Sequence, residues 1–364
     1  MREKRNRYFD YSLLFIVIFL VCFGLVMLYS TSSFDGQLKF KDGAFYLKKQ
    51  LFATALGLGV LFLFAAIDYR VWKRFWLLAY LFSLGLCVAV LFVGSEFNGS
   101  KRWLKLGPLS FQPAEFAKLA VLIFLAMVIS RIPKYMGKLR TMILIMFSIL
   151  PIVALVAKEN LSSAIIILGI AIALIFVSSP KYLHFILIGG LAVGAGAAFL
   201  VTASYRLTRI KIWLHPEDYD KGFQTLQGLY AIGSGGLFGK GLGASMQKLG
   251  FVPEAQNDMI FSIICEELGL FGAIGVMLLF VLLIWRFMVV ASNAQDLYGA
   301  LLVSGILAHI SIQVILNIAV VTNSIPNTGI SLPFISYGGT SVLFLLAEMG
   351  IALSVSRGIN LTEE

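Results

Sequence analysis

Charged residues are scarce in this chain: Asp, Glu, Lys and Arg make up 13% of its 364 residues, about half the share of a soluble domain. Water could not solvate a surface built from such a sequence, which excludes an ordinary soluble enzyme. Cysteine is nearly absent. Cys22, Cys87 and Cys265 are the only three, all in or beside apolar runs without CxxC spacing. Disulfide staples and zinc ribbons are thereby unsupported, and buried free thiols are the plainer expectation. Histidine is equally rare, three residues without HExxH or other zinc spacing, so no metal site is legible. Acids number 19 against 29 bases. In a soluble protein that excess would suggest nucleic acid; here anionic membrane lipid or a phosphate-bearing substrate is the expected partner, and nucleic acid is not.

What the chain has in abundance is apolar residues, 59%. They fall in runs of roughly 18–25, the length that crosses about 30 Å of hydrocarbon at 1.5 Å per residue. Ten spans are predicted, near 12–33, 48–67, 74–94, 113–130, 141–157, 161–178, 182–203, 258–285, 298–320 and 332–356. The first follows Arg2, Lys4, Arg5 and Arg7, but it outlasts a signal-peptide core and no small-x-small site follows, so it is read as a retained span. The expected fold class is all-α, a polytopic integral membrane protein forming one domain over 1–364. Its single long connection, 204–257, is a large extracytoplasmic loop of the kind that carries function. The basic amino terminus and the dense Arg131, Lys134, Lys138, Arg140 loop place both termini in the cytoplasm, although the cations flanking the spans, these included, divide evenly between the two sides. An anionic ligand outside would account for the cations there.

Two constellations could carry chemistry. In the first, Pro113 suits the first position of span 4 and Glu115 complements its positive dipole end. Lys118, three residues on, shares a face with Glu115. The pair could simply pin the span; with Lys101 and Arg102 added, it could instead form a cationic pocket for phosphate at the outer surface. In the second, Asp258 stands where the long loop meets span 8, with Ser262 and Glu266 at i+4 and i+8 on one expected face. Asp258 could be a helix cap or a base, for which an Asp of ordinary pKa near 3.9 needs desolvation. The stretch Gly233-Ser-Gly-Gly-Leu-Phe-Gly-Lys-Gly-Leu-Gly243 departs from a phosphate loop, since Gly241 stands where Ser or Thr would hold magnesium; a tight re-entrant turn fits it better. His309, Gln313 and Asn317 form a polar stripe of the kind that bonds neighbouring helices. Glu348 lies inside span 10 and needs a partner that the sequence does not name.

Taken in order, these motifs resemble the SEDS family, whose best-known members are FtsW and RodA. Gly99-Ser-Lys-Arg-Trp with Gln112-Pro-Ala-Glu-Phe-Ala-Lys118 is similar to its span-4 signature. Gly222-Phe-Gln, Ala231-Ile-Gly-Ser-Gly-Gly and Pro253-Glu-Ala-Gln-Asn-Asp-Met-Ile-Phe with Glu266-Glu-Leu-Gly are similar to its large-loop signature. Asn317-Ile-Ala-Val-Val and Pro326-Asn-Thr-Gly-Ile-Ser-Leu-Pro-Phe-Ile-Ser-Tyr-Gly-Gly-Thr-Ser341 complete the match, which looks nearer to the division branch, FtsW, than to RodA-type elongation. One segment departs: Lys158-Glu-Asn-Leu-Ser-Ser163 stands where many members carry Gln-Pro-Asp-Leu-Gly-Thr, so Asn160 replaces the Asp.

The resemblance implies a peptidoglycan glycosyltransferase that polymerises lipid II outside the bacterial cytoplasmic membrane. Its implied partners are a class B penicillin-binding transpeptidase and other division or elongation proteins. It also implies an essential carboxylate at Asp258, and substrate contacts at Arg102, Glu115 and Lys118, to which Lys101 and Glu266 are added here. Asp258 would act as the base, and Arg102, Lys101, Lys118 or a bound divalent cation (magnesium or manganese) would steady the departing diphosphate. Two rival expectations are a lipid II flippase, whose polar groups would sit at midplane, and a non-catalytic scaffold for the transpeptidase.

Overall fold

The computed structural model describes residues 9–97, 100–106, 109–181, 183–185 and 211–359. Among these, nine helices are long and apolar enough to cross a membrane. They are α1 (Tyr11–Phe40), α2 (Phe45–Ala66), α3 (Trp72–Val93), α4 (Pro113–Arg131), α5 (Leu139–Glu159), α6 (Leu161–Ser178), α8 (Ile260–Ser292), α9 (Leu297–Val321) and α10 (Gly339–Ser356). The shorter α7 (Phe223–Gly235) precedes α8. The chain is a multi-pass α-helical membrane protein. The expected span over 182–203 lies almost wholly outside the described residues.

The two ends of the bundle differ. At one end, Asp10 caps α1 by accepting from the Leu13 N–H at 2.9 Å and pairs with Arg286 at 2.6 Å. There too Arg70 and Lys73 both reach Asp296 at 3.2 Å, and Asp296 caps α9 through the Gly299 N–H. The start of α1 and the end of α10 share this rim, where the Asp10 N–H donates to Ser356 Oγ at 3.3 Å. At the opposite rim lies a small antiparallel sheet of β1 (Ser95–Phe97), β2 (Ser100–Leu106) and β3 (Leu109–Phe111), in the order β1-β2-β3. The sheet was not expected: charged and apolar residues do not alternate cleanly along Ser100–Leu106, so the period-2 signal of a half-buried strand is weak.

The centre of the bundle is α4 and α10, each with 83% of its span buried inside the protein. Small residues permit this. Gly350 of α10 lies against α2 so closely that a Cβ there would stand 2.5 Å from the Leu61 carbonyl oxygen, the close backbone approach that drives helix association in lipid. The expected last span began at 332, but α10 starts at Gly339; residues 322–338 form an irregular segment laced to its surroundings.

α8 is broken. Gly269 has φ 67° and ψ −165°, which interrupts the helical ladder. The four orphaned groups are taken up by the glycine-rich loop: Lys240 and Gly241 N–H donate to the Glu266 and Glu267 carbonyls, and Leu270 and Phe271 N–H donate to those of Gly236 and Leu237, at 2.9–3.2 Å. The expected re-entrant turn is therefore seated in the break, which is how non-helical backbone is satisfied near lipid. Beyond Gly269 the helix is by itself long enough to cross about 30 Å of hydrocarbon.

Candidate active site

Asp258 sits in the turn just before α8, so it is not on that helix and does not share a face with Ser262 and Glu266. Instead it lies where three segments meet. Its backbone carbonyl accepts from Asn317 Nδ2 of α9 at 2.8 Å, and the same amide reaches the Ile330 carbonyl at 2.6 Å. Gln224, in the first turn of α7, donates from Nε2 to Asp258 Oδ1 at 3.4 Å and to the Pro253 carbonyl at 3.1 Å. Gly329 is so near that a Cβ on it would stand 3.6 Å from Asp258 Oδ2. Burial pushes the Asp258 carboxyl up to about 6, and nearby Glu254 adds to the rise. Donors from Gln224 and from the backbone of Asp258 and Met259 pull it partly back. A carboxylate so tuned can take a proton near neutral pH.

The cationic strand joins the same rim through a chain of contacts. The Lys101 N–H donates to Glu159 Oε2 at 2.8 Å, and Arg102 Nε donates to the Glu159 carbonyl at 2.6 Å. The next residue, Asn160, caps α6 by accepting from the Ser163 N–H at 3.1 Å. Ser162 Oγ then donates to the Thr328 carbonyl, one residue from Gly329 beside Asp258. Thr340 at the start of α10 donates to the Ser110 carbonyl of β3 at 2.8 Å. The departure at Lys158–Ser163 thus has a structural use: Glu159 holds the sheet, and Asn160 supplies a cap that needs an acceptor but no charge.

Three of the expected substrate contacts, Glu115, Lys118 and Glu266, lie in buried ion pairs. Lys118 is 1% exposed, with its ammonium 3.0 Å from Glu115 and 3.3 Å from Gln313 Oε1. The pair pins α4 to α9 within the bundle, because an ammonium in lipid must be partnered, and it is not part of an open surface pocket. Glu266 is fully buried and accepts from Lys240 Nζ at 2.7 Å, from Ser245 Oγ, and from the Met246 and Gln247 N–H groups at 3.3 Å. Its neighbour Glu267 pairs with Lys248 at 2.7 Å and accepts from Ser30 of α1. Both carboxylates anchor the re-entrant loop.

The stripe on α9 bonds neighbouring elements, as expected: His309 Nδ1 meets Glu348 at 2.8 Å, Gln313 Nε2 donates to the Ser331 carbonyl at 3.0 Å, and Asn317 holds the Asp258 turn. Glu348 thereby gains its partner. Sequence reasoning quoted Gln224 and Asn327 inside motifs but gave them no part at Asp258; only the fold brings them there. Among the described residues, one group brings three possible metal ligands within 4.8 Å of one another, His215, Glu217 and Asp218, all exposed. It excludes Asp258 and contains no buried orphan donor, so it does not fit a resident metal.

A bundle of apolar helices with a tuned aspartate and a cationic strand on one rim defines a polytopic membrane protein with a surface site. The cell cycle protein family of FtsW, RodA and SpoVE matches residues 11–360, and the chain belongs to that family, the SEDS proteins, close to FtsW. It is 40% identical over 356 residues to stage V sporulation protein E of Bacillus subtilis, covering 96% of this chain and 97% of that one. It is 38% identical over 361 residues to the probable peptidoglycan glycosyltransferase FtsW of Trichlorobacter lovleyi, covering 97% and 94%. Among solved structures, a chain of a peptidoglycan synthase complex that coordinates polymerization and crosslinking superposes with a TM-score of 0.79 at 30% identity, covering 96% of this chain and 98% of that one. The Thermus thermophilus rod shape determining protein RodA gives 0.70 at 29%, covering 98% of each.

Proposed function

We propose that this chain is a peptidoglycan glycosyltransferase that polymerises lipid II at the outer face of the bacterial cytoplasmic membrane, with Asp258 as general base. The observation that carries this is the Asp258 carboxylate, raised to about 6 by burial at the rim where the family's motifs converge. Asp258 takes the proton of the acceptor's C4 hydroxyl as that oxygen bonds to the donor's anomeric carbon. The anomeric carbon–oxygen bond breaks with inversion, and its electron pair leaves on the lipid diphosphate. A sugar alkoxide leaving group needs a paired acid; a diphosphate needs only charge stabilisation, so one carboxylate suffices. Lys101 and Arg102 on β2 would supply it. A magnesium or manganese ion would arrive as the counter-ion of the diphosphate, since such ions are held largely by substrate phosphates.

In this reading the sheet rim is extracytoplasmic and both termini are cytoplasmic. A class B penicillin-binding transpeptidase is the partner, in keeping with the synthase complex among the structural neighbours. The FtsW likeness favours a role in division over elongation. A flippase would use midplane polar groups, and here Glu115, Lys118, His309 and Glu348 are enclosed and paired, which supports a structural use for them. Labelled lipid II, the reconstituted chain and its transpeptidase test the proposal. Glycan ladders on a gel are expected; translocation without ladders would replace the enzyme with a transporter, and neither product would leave a scaffold.

A further inference from the structure

Among the described residues, the Asp258 carboxylate is met by the Gln224 side-chain amide and by backbone N–H groups, and the side-chain amides form an ordered chain. Asn327 Oδ1 accepts from the Gly329 N–H at 3.1 Å, two residues on, an Asx turn that leaves its Nδ2 to donate elsewhere. That Nδ2 donates to Gln224 Oε1 at 3.1 Å. Gln224 Nε2 then has two hydrogens for two acceptors, the Pro253 carbonyl and Asp258 Oδ1. Flipping the Gln224 amide would set its oxygen against both acceptors and its nitrogen against another nitrogen, so the network permits one orientation.

We infer that Gln224 and Asn327 are positioning residues that hold Oδ1 of Asp258 and thereby make Oδ2 the oxygen that receives the substrate proton. The inference rests on Asp258 being the base. Gly329 fits it: at φ 67° the position suits glycine, and an alanine methyl would come into van der Waals contact with Oδ2. The groups facing the carboxylate are Gln224 from α7, Glu254 and the backbone N–H groups of its own turn, Gly329 from the 322–338 segment, and Asn317 behind its carbonyl. Glu254 is the one charge among the named influences and opposes ionisation. A hydrogen bond donated to one oxygen favours the ionised form, so the amide chain partly offsets the effect of burial and fixes the carboxylate's rotation together.

The test is the pH profile of lipid II polymerisation by the full chain with its transpeptidase, for wild type, Q224L, Q224E, N327A and D258N. With Q224L the acid limb is expected to move up by about half to one pH unit, the size of one neutral hydrogen bond. The loss at low pH should close as pH rises, with KM for lipid II little changed. N327A should shift the limb the same way by less, and Q224E, isosteric and therefore readable should Q224L misfold, by more. An equal loss at every pH, or an unmoved limb, would overturn the positioning role. Retained polymerisation in D258N would remove the base itself; an inactive D258N beside an unmoved Q224L limb would remove the positioning role alone.

Discussion

At Asp258 opposing influences meet on one side chain: burial and Glu254 raise its proton affinity, and the donors around it lower it. The sign follows for catalysis. The ionised form is the base, so activity should hold above pH 6 and fall as pH drops through about 6, measured as glycan formed per minute across the range. Replacing the carboxylate with an amide, D258N, removes the proton acceptor while keeping its shape, and a loss of about 10²-fold or more is expected, with the protein still monodisperse in detergent. His309 answers to different physics. H309A leaves the fully buried Glu348 without its partner, and breaking a buried pair costs about 3–5 kcal/mol. A melting temperature lowered by several degrees would register it; an unchanged one would show that the His309–Glu348 contact adds nothing to stability.

Among the elements, the helices were legible and their interruptions were not. Apolar run length locates α2 to α6 to within a few residues, because spanning hydrocarbon imposes one dominant constraint. The break in α8 has no such signature: Glu266-Glu-Leu-Gly reads as continuous helix, and only the docked loop explains it. The sheet escaped for a related reason, since its strands take their stability from Glu159 and the neighbouring helix ends rather than from their own pattern. Likewise Asp258 and Arg102 could be picked out through motif resemblance, but Gln224 and Asn327 acquire meaning only from sites more than 30 residues away in sequence. Gly269 gives the sharpest test. In G269A a methyl would meet Gly239 N at 2.3 Å and the Leu237 carbonyl at 2.5 Å, so destabilisation of about 2 kcal/mol or more is expected, read as faster proteolysis at 236–250. The loop's outer tip is apolar, with Phe238 79% exposed and its ring packed at a tilt against Phe271. A nitroxide at F238C should be more accessible to oxygen than to a water-soluble nickel chelate, as a group in the lipid interface would be.

For the molecule as a whole, orientation decides whether the site can meet a substrate outside the cell. With Cys22, Cys87 and Cys265 changed to alanine, K105C on the sheet should react with an impermeant maleimide added to intact cells. K134C, between α4 and α5, should react only after permeabilisation. The reverse pattern would turn the site inward and end the polymerase proposal. Fold class and family could be read from the sequence because composition and ordered motifs act over the entire length. The placement of Lys118 and Glu266 could not, since a charged residue at a span end looks the same whether it greets a ligand or closes on a neighbour.

The seam between the glycine-rich loop and the broken helix has a mechanical corollary. Because four main-chain bonds stitch the loop to the helix on either side of Gly269, lifting it away would strand amides and carbonyls in grease. The loop and Ile260–Leu268 are therefore bound to travel as one body, and that body begins two residues after Asp258. Any pull on the exposed loop would have a short, stiff handle on the aspartate.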